Sequence, residues 1–422
     1  MTEQTETPTI AYLTGDYPKV SHTFIQREVA ALRDLGLDIR TCSIRRPPAH
    51  EVAGDAEQAE LAQTFYVLSQ AKHPLRLIGA HLGALRRNPR GWARALGLAW
   101  RTRSPGVKAA LWQMFYFLEA GVLADHLHRI CARHLHNHFM DSSCSVAMLA
   151  SEMNGTPFSF TLHGPTELYE PHRWRLDEKI ARSAFSAYIS HFARSQGMLF
   201  SDRSHWNRMR IVHCGIQPER YAGPRVSPPG KTMVFIGRMS GVKGAPLMIE
   251  ALAALLPQHP DARLVMVGDG PERPALESQA RTLGVDAAVA FTGTQTQDQV
   301  AAHLAKADLL ALPSFAEGVP VVLMEAMAAG LPVVTTRIAG IGELVEDGAS
   351  GYLVPPGDLD SLVARLDALL SDPELRDRMG QVGRDKVRAD YAITSEAAWL
   401  ADLFRGSLAS DLPPTLRPPV AS

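Results

Sequence analysis

Cysteine is scarce in this 422-residue chain: Cys42, Cys131, Cys144 and Cys214 are the full set. None pair at metal-ligand spacing, and scattered thiols at this density speak against a disulfide framework and for a reducing compartment. Long apolar runs are also missing. No stretch approaches the roughly 20 residues needed to span a bilayer, and Thr2 to Thr9 are polar and acidic without a signal-peptide pattern. The expected location is the cytoplasm. The chain lacks a G-x-x-x-x-G-K-[ST] phosphate loop and a G-x-S-x-G nucleophile elbow. Nucleic-acid motifs are absent too, and a net charge of −1 gives no general nucleic-acid footprint.

Acidic residues vanish between Glu60 and Glu119, where nine basic ones stand: Lys72, Arg76, Arg86, Arg87, Arg90, Arg94, Arg101, Arg103 and Lys108. Leucines and Trp92, Trp100 and Trp112 are interleaved at helical spacing. Such a segment, about 61–118, suits the headgroup region of an anionic membrane. The alternative is a helical insertion packed on its own domain with the basic face in water. The charge is divided: residues 1–215 carry 25 Lys/Arg and 19 Asp/Glu, whereas 216–422 carry 18 and 25.

The length favours two domains, and 46% hydrophobic with 21% charged residues fits a globular protein. Strands are expected near 9–14, 37–44, 135–139, 158–162, 187–190 and 210–212, with helical stretches between them, the first from about Ser21 to Leu35. A second series is expected at 232–237, 264–268, 288–292, 309–313 and 332–335. Alternation of this kind implies parallel sheets wrapped on both faces, so the fold class is α/β with two Rossmann-like, doubly wound domains. The first domain is placed at 1–215 and the second at 216–393. Pro218, Gly223, Pro224, Pro228 and Pro229 between Gly215 and Gly230 read as a linker. A last helix is expected at 394–405 and a mobile tail at 406–422.

The segment Ser314 to Gly330 is the most informative. Glu317 and Glu325 bracket a Gly-Val-Pro turn that opens a short apolar helix. Pro320 is expected at the first helical position and Gly330 at the exit. The amides of Val321 and Val322 would form an anion site at the helix N-terminus. A ligand with a diphosphate centre and hydroxyls on both sides, a nucleotide-sugar, fits this layout. Arg238 and Lys243, in the loop after the first strand of the second domain, offer a planar fork and a point charge for oxyanions. Gly268-Asp269-Gly270 lacks the third glycine of a dinucleotide fingerprint and reads as a turn near a nucleotide base. His163 closes a strand where it can donate to a substrate oxygen. His134, His136 and His138 share a strand face, but no acidic or Cys partner is fixed nearby in sequence. No metal site and no cofactor are expected.

Taken together, Glu317-x7-Glu325, Gly237-Arg238…Lys243, the strand ending in His163-Gly164 and His213-Cys214-Gly215-Ile216 resemble the retaining GT-B glycosyltransferases of family 4. The opening Tyr17-Pro18-Lys19-Val20-Ser21-His22-Thr23-Phe24-Ile25 and Leu135-His136-Asn137-His138-Phe139 are similar to the bacterial exopolysaccharide, colanic acid branch. The resemblance covers about residues 8–405. It implies two domains facing across a cleft, and Arg238 and Lys243 on the donor diphosphate. Glu325 is implied on the ribose, Glu317 on donor-sugar hydroxyls, and the Val321 and Val322 amides on sugar and phosphate. His163 is implied facing the transferring sugar and Gly15 near the diphosphate, although Thr14 stands where many relatives have a second glycine. The implied reaction is sugar transfer with retention and without metal, to a lipid-linked oligosaccharide at the inner face of the plasma membrane. The alternatives are a nucleotide-sugar epimerase of the same fold and a non-catalytic nucleotide-sugar binding subunit.

Overall fold

The computed structural model describes residues 7–19, 22–48, 52, 54–223 and 230–418. Val20 and Ser21 of the opening motif, the linker prolines Pro224, Pro228 and Pro229, and the tail beyond Pro418 lie outside the described residues. The chain divides into two units, one of residues 1–215 with 393–418 and one of 216–392.

In the first unit, strands β1 (Thr9–Asp16), β2 (Asp38–Arg45), β3 (Phe65–Tyr66), β4 (His134–His138), β5 (Phe158–Leu162), β6 (Phe185–Tyr188) and β7 (Met209–Ile211) form one sheet in the order β3-β2-β1-β4-β5-β6-β7. All its pairings are parallel. Helices α1 (Thr23–Asp34), α2 (Asp55–Gln63), α3 (Val67–Ala71), α4 (Pro74–Arg87), α5 (Pro89–Thr102), α6 (Val107–Arg129), α7 (Ser142–Asn154), α8 (Leu176–Arg182) and α9 (His191–Leu199) connect the strands. A parallel sheet covered on both faces buries whole strands, and β4, β5 and β6 are buried throughout. The cost in β4 is that His134, His136, Asn137 and His138 need hydrogen-bond partners inside the protein. Ser159 and Thr161 of the adjoining β5 supply several of them.

The second unit holds β8 (Thr232–Ile236), β9 (Arg263–Val267), β10 (Val289–Gly293), β11 (Leu309–Leu312), β12 (Val333–Thr336) and β13 (Gly351–Val354), in the order β10-β9-β8-β11-β12-β13. Its helices are α10 (Ala245–Leu255), α11 (Arg273–Thr282), α12 (Gln297–Lys306), α13 (Val321–Ala328), α14 (Ile341–Leu344), α15 (Leu359–Ser371) and α16 (Pro373–Asp390). Both sheets have the doubly wound order, and in each the direction of winding reverses between two central strands. These are β1 and β4 in the first unit and β8 and β11 in the second. Loops leaving the carboxyl ends of those strands flank the crevice in which such sheets take ligands.

The last helix, α17 (Ile393–Ala409), is longer than the expected 394–405 and belongs to the first unit. Leu400, Leu403 and Phe404 share a core with Tyr12 of β1 and Ile25, Val29 and Leu32 of α1. The expectation of a mobile tail from 406 is corrected as far as Pro418. Leu416 accepts the Ile211 N–H at 3.1 Å, Pro413 accepts Arg210 Nε at 3.1 Å, and Arg417 pairs with buried Glu396 at 2.5 Å. Pro320 is also corrected: it is the N-cap of α13, with extended backbone (φ −66°, ψ 122°), and Val321 opens the helix. Gly330, at φ +76°, makes the exit turn.

Candidate functional site

In the second unit the reversal point is flanked by the loop 237–244 after β8 and the loop 313–320 after β11. Two backbone bonds tie them: the Phe315 N–H donates to Val242 C=O at 2.8 Å and the Ala316 N–H to the same oxygen at 3.4 Å. Gly244 is required here, because it sits at φ +63° and a Cβ would lie 2.0 Å from the Pro313 carbonyl oxygen. Across the tied loops Lys243 Nζ meets Glu317 Oε1 at 2.6 Å, and Ser314 Oγ donates to the same oxygen at 2.7 Å. Thr336 in turn donates to Ser314 C=O at 2.6 Å. Glu317 and Glu325 are both buried, so neither is a solvated surface carboxylate. Arg238 is exposed and Lys243 half-buried.

The first backbone bond of α13 runs from Leu323 N–H to Pro320 C=O at 3.1 Å. The Val321 and Val322 amides precede it, among the donors a helix start leaves without intrahelical partners. Lys243, the Glu317 carboxylate and this helix start thus share one corner of the second unit. Gly268 and Gly270 have a packing reason of their own. Added Cβ atoms would lie 2.1 Å from the Gly237 oxygen and 2.3 Å from the Met239 oxygen. Their turn lies against the Arg238 loop, and Met239 N–H donates to Asp269 C=O at 2.9 Å.

In the first unit His163 follows β5, and its ring nitrogens are both engaged. His163 Nε2 lies 2.9 Å from His138 Nδ1, and His163 Nδ1 lies 3.4 Å from Cys214 Sγ. His138 Nε2 continues the chain to Glu28 Oε1 at 3.0 Å, where Tyr12 also donates. A carboxylate only accepts, so His138 donates from Nε2 to Glu28. His163 Nε2 then faces His138 Nδ1, and His163 Nδ1 faces the Cys214 thiol. Burial holds the His163 imidazole well below its ordinary pKa, so it is neutral. Glu167 fixes the backbone here, accepting from His163 N–H at 3.0 Å and Gly164 N–H at 2.8 Å. It also accepts from Met140 N–H, and fully buried Lys179 holds the Met140 and Asp141 carbonyls at 2.5 and 3.0 Å. Gly15, the penultimate residue of β1, has Asp141 Oδ2 4.0 Å from where its Cβ would be.

Ligand atoms of Glu28, His136 and His138 lie within 4.8 Å of one another. Each is already hydrogen-bonded: His136 to Ser159 at 2.7 Å and Thr161 at 3.0 Å, and the other two as above. Sequence reasoning missed Tyr12, Glu28, Glu167, Lys179, Cys214 and Ser314 as parts of these sites. Glu28 had a signal: it falls within the apolar stripe of Ile25, Val29 and Leu32 on α1, where an acid needs a buried partner.

The basic segment forms α3, α4, α5 and the start of α6. His81 of α4 reaches Leu118 C=O of α6 at 3.1 Å, and Arg87 reaches Asp125 at 3.0 Å. The two helices therefore run in the same direction, and a rise of about 1.5 Å per residue sets Leu75 and Ile78 level with Trp112 and Phe115. Leu75, Ile78, Trp100, Val107, Leu111, Trp112 and Phe115 are all exposed. Arg94 is paired with Glu152 of α7 at 2.6 Å. Among the described residues no helix is long and apolar enough to cross a membrane.

The chain is 32% identical over 173 residues to the alpha-D-kanosaminyltransferase of Streptomyces kanamyceticus, covering 41% of this chain and 45% of that protein. It is 26% identical over 264 residues to the sulfoquinovosyl transferase SQD2 of Arabidopsis thaliana, covering 57% and 50%. The chain thus spans about half the length of the curated relatives it matches. Among solved structures, the sucrose-phosphate synthase of Thermosynechococcus elongatus shares the fold with a TM-score of 0.73 at 18% identity, over 96% of this chain and all of that one. Anabaena HepE, solved with UDP-glucose, gives 0.71 at 17%, over 94% and 99%. The fold is accordingly GT-B, with two Rossmann-like units, and residues 223–386 of the second match the family of glycosyl transferases group 1.

Proposed function

We propose that this protein is a retaining glycosyltransferase that moves a sugar from a nucleotide diphosphate-sugar to a lipid-linked oligosaccharide in surface polysaccharide assembly. The observation that carries the reading is the corner at the second unit's reversal point, where the Lys243–Glu317 pair lies beside the start of α13, with exposed Arg238 in the same loop as Lys243. The bond from the anomeric carbon to the diphosphate breaks as the acceptor hydroxyl oxygen bonds to that carbon from the same face. The hydroxyl proton leaves with the diphosphate. Arg238, Lys243 and the Val321 and Val322 amides stabilise the charge that develops on the leaving group, so no divalent metal is needed.

Lys243 spends one of three ammonium hydrogens on Glu317 and keeps two for phosphate oxygens. Glu317 orients donor-sugar hydroxyls, Glu325 takes the ribose, and Gly268 and Gly270 border the base. Gly15 approaches the diphosphate from the first unit. His163 acts as a positioning residue: a ring-nitrogen contact to the sugar would break its bond to His138 or Cys214. The exposed apolar residues of α4–α6 favour a site of action at the inner, cytoplasmic face of the plasma membrane.

Product analysis with a donor labelled in the sugar, in the presence of EDTA, tests the proposal. Label in a lipid-extractable product with the anomeric configuration kept is the expected result. Label only in an epimerised nucleotide-sugar, or no turnover with any donor and acceptor, would overturn it, and dependence on added metal would remove the metal-free step.

A further inference from the structure

A cavity of about 720 Å³ opens in the first unit between the 102–116 stretch, the first turns of α7, the end of β2 and residues 173–175. It lies at the carboxyl edge of the sheet, because Arg45 ends β2 and α7 begins four residues after β4. That edge is where open parallel sheets take ligands. Among the described residues four cations line it, Arg45, Lys108, Arg173 and Arg175, and no acidic side chain does. Arg173 is paired with Glu170 at 2.8 Å and Arg175 with Asp177 at 2.8 Å, both at the surface. Glu119 and Asp141 also act on Tyr116 of the wall; Glu119 is pushed up to about 7 by burial, and Arg45 opposes the shift. Its negative charge is accordingly weakened near neutral pH.

Three aromatic side chains, Trp112, Tyr116 and Trp174, share the wall. Arginine beside flat aromatic faces suits a ligand that carries both oxyanions and sugar rings. The rim is different. Val107 and Trp112 line the cavity and are also 80% and 49% exposed, and Leu111 and Phe115 carry the apolar surface outward along α6. A cationic chamber with an apolar lip matches a molecule with an anionic head and a long hydrocarbon chain, and neither a free anion nor a neutral lipid matches both parts.

We propose that this cavity seats the phosphate-bearing head of a prenyl-linked acceptor, whose hydrocarbon chain leaves over Val107, Leu111 and Phe115. The inference rests on the glycosyltransferase reading for the word acceptor, and on the cavity alone for the ligand chemistry.

The test is binding of geranylgeranyl diphosphate to the full chain in detergent micelles without donor, followed by calorimetry. Inorganic pyrophosphate, geranylgeraniol and vesicles of anionic phospholipid are the comparison probes. The diphosphate should bind at least tenfold more tightly than pyrophosphate or the alcohol. Arg45→Ser with Arg173→Ser should weaken it at least tenfold, and Lys108→Ser, at an exposed position, should weaken it in the same direction. Unchanged thermal unfolding of Lys108→Ser keeps the test valid if the double variant folds poorly. Equal binding of pyrophosphate would make this a free-anion site, and diphosphate binding no tighter than that of vesicles in every variant would make it general lipid adhesion; either result overturns the proposal. Prenyl diphosphate binding that survives while transfer is absent would instead sink the glycosyltransferase reading and leave the site standing.

Discussion

Lys243 and Glu317 stand 74 residues apart and meet at 2.6 Å. Each was readable from its own neighbourhood: Lys243 from a glycine-rich loop after a strand, Glu317 from the turn that opens an apolar helix. Their pairing was not readable, because it depends on β8 and β11 being neighbours in a wound sheet. The same holds for His163. Its place at a strand end follows from the sequence, but His138 and Cys214, which consume its ring nitrogens, come from 25 and 51 residues away. Lys243→Ala should lower turnover about 10²–10³-fold, the loss expected for one preorganised charge contact. Initial rates with labelled donor would check this, and unchanged turnover would reject the phosphate role. Glu325→Ala should raise KM more than it lowers kcat, since the ribose is remote from the reacting carbon and its contact is the same in ground and transition states. A collapse of kcat at constant KM would place Glu325 in the chemistry.

At the scale of elements, central strands such as β1, β5, β8 and β11 were legible because each is a largely apolar run between turn signals. Two-residue β3 and edge strand β13 were not, being too short to show a pattern. Helix α17 was legible as a helix but not as part of the first unit, since its apolar face would fit either sheet. Its attachment extends through Arg417, whose pair with Glu396 is almost fully buried on the acid's side. At about pH 9, where Glu396 is ionised in the intact protein, Arg417→Met should destabilise the first unit on the order of 3 kcal/mol, the scale for stranding a buried charge. Denaturant unfolding would measure it. The loss should shrink below about pH 7, where Glu396, pushed up to about 7 by burial, takes a proton instead.

The basic insertion shows a similar division. The acid-free window suggested a free basic face, yet Arg87 and Arg94 pair with Asp125 and Glu152, which lie beyond the window in sequence. On the proposed membrane-facing reading, the exposed apolar set on α4, α5 and α6 is therefore the stronger determinant. Leu75→Ser with Ile78→Ser and Leu111→Ser should reduce binding to anionic vesicles in flotation assays while leaving donor binding intact. Wild-type protein that ignores such vesicles at low salt would make this surface a protein-facing one.

The whole molecule divides its titratable burden unevenly, and this governs its response to acid. In the first unit, burial holds His81, His126, His134, His136 and His163 below the ordinary value of 6.5, His134 at about 3 and His126 at about 4. When the pH falls through 6.5 the unfolded chain binds protons at these five sites and the folded chain does not, so stability is lost. Glu119, Glu167 and Glu396 act in the opposite sense. Burial raises each to about 7, so between pH 7 and 4.5 the folded chain holds protons that the unfolded chain has released, and stability is gained as pH falls. Five sites against three leave the histidines in control below pH 6.5. All six tryptophans, Trp92, Trp100, Trp112, Trp174, Trp206 and Trp399, lie in this unit, so tryptophan fluorescence reports its unfolding separately from the second unit. The fluorescence midpoint in urea should fall from pH 7 to pH 5.5, while far-ultraviolet circular dichroism, which sees both units, should separate into two transitions. A fluorescence midpoint that rises over this interval would mean that the buried glutamates outweigh the histidine network around β4.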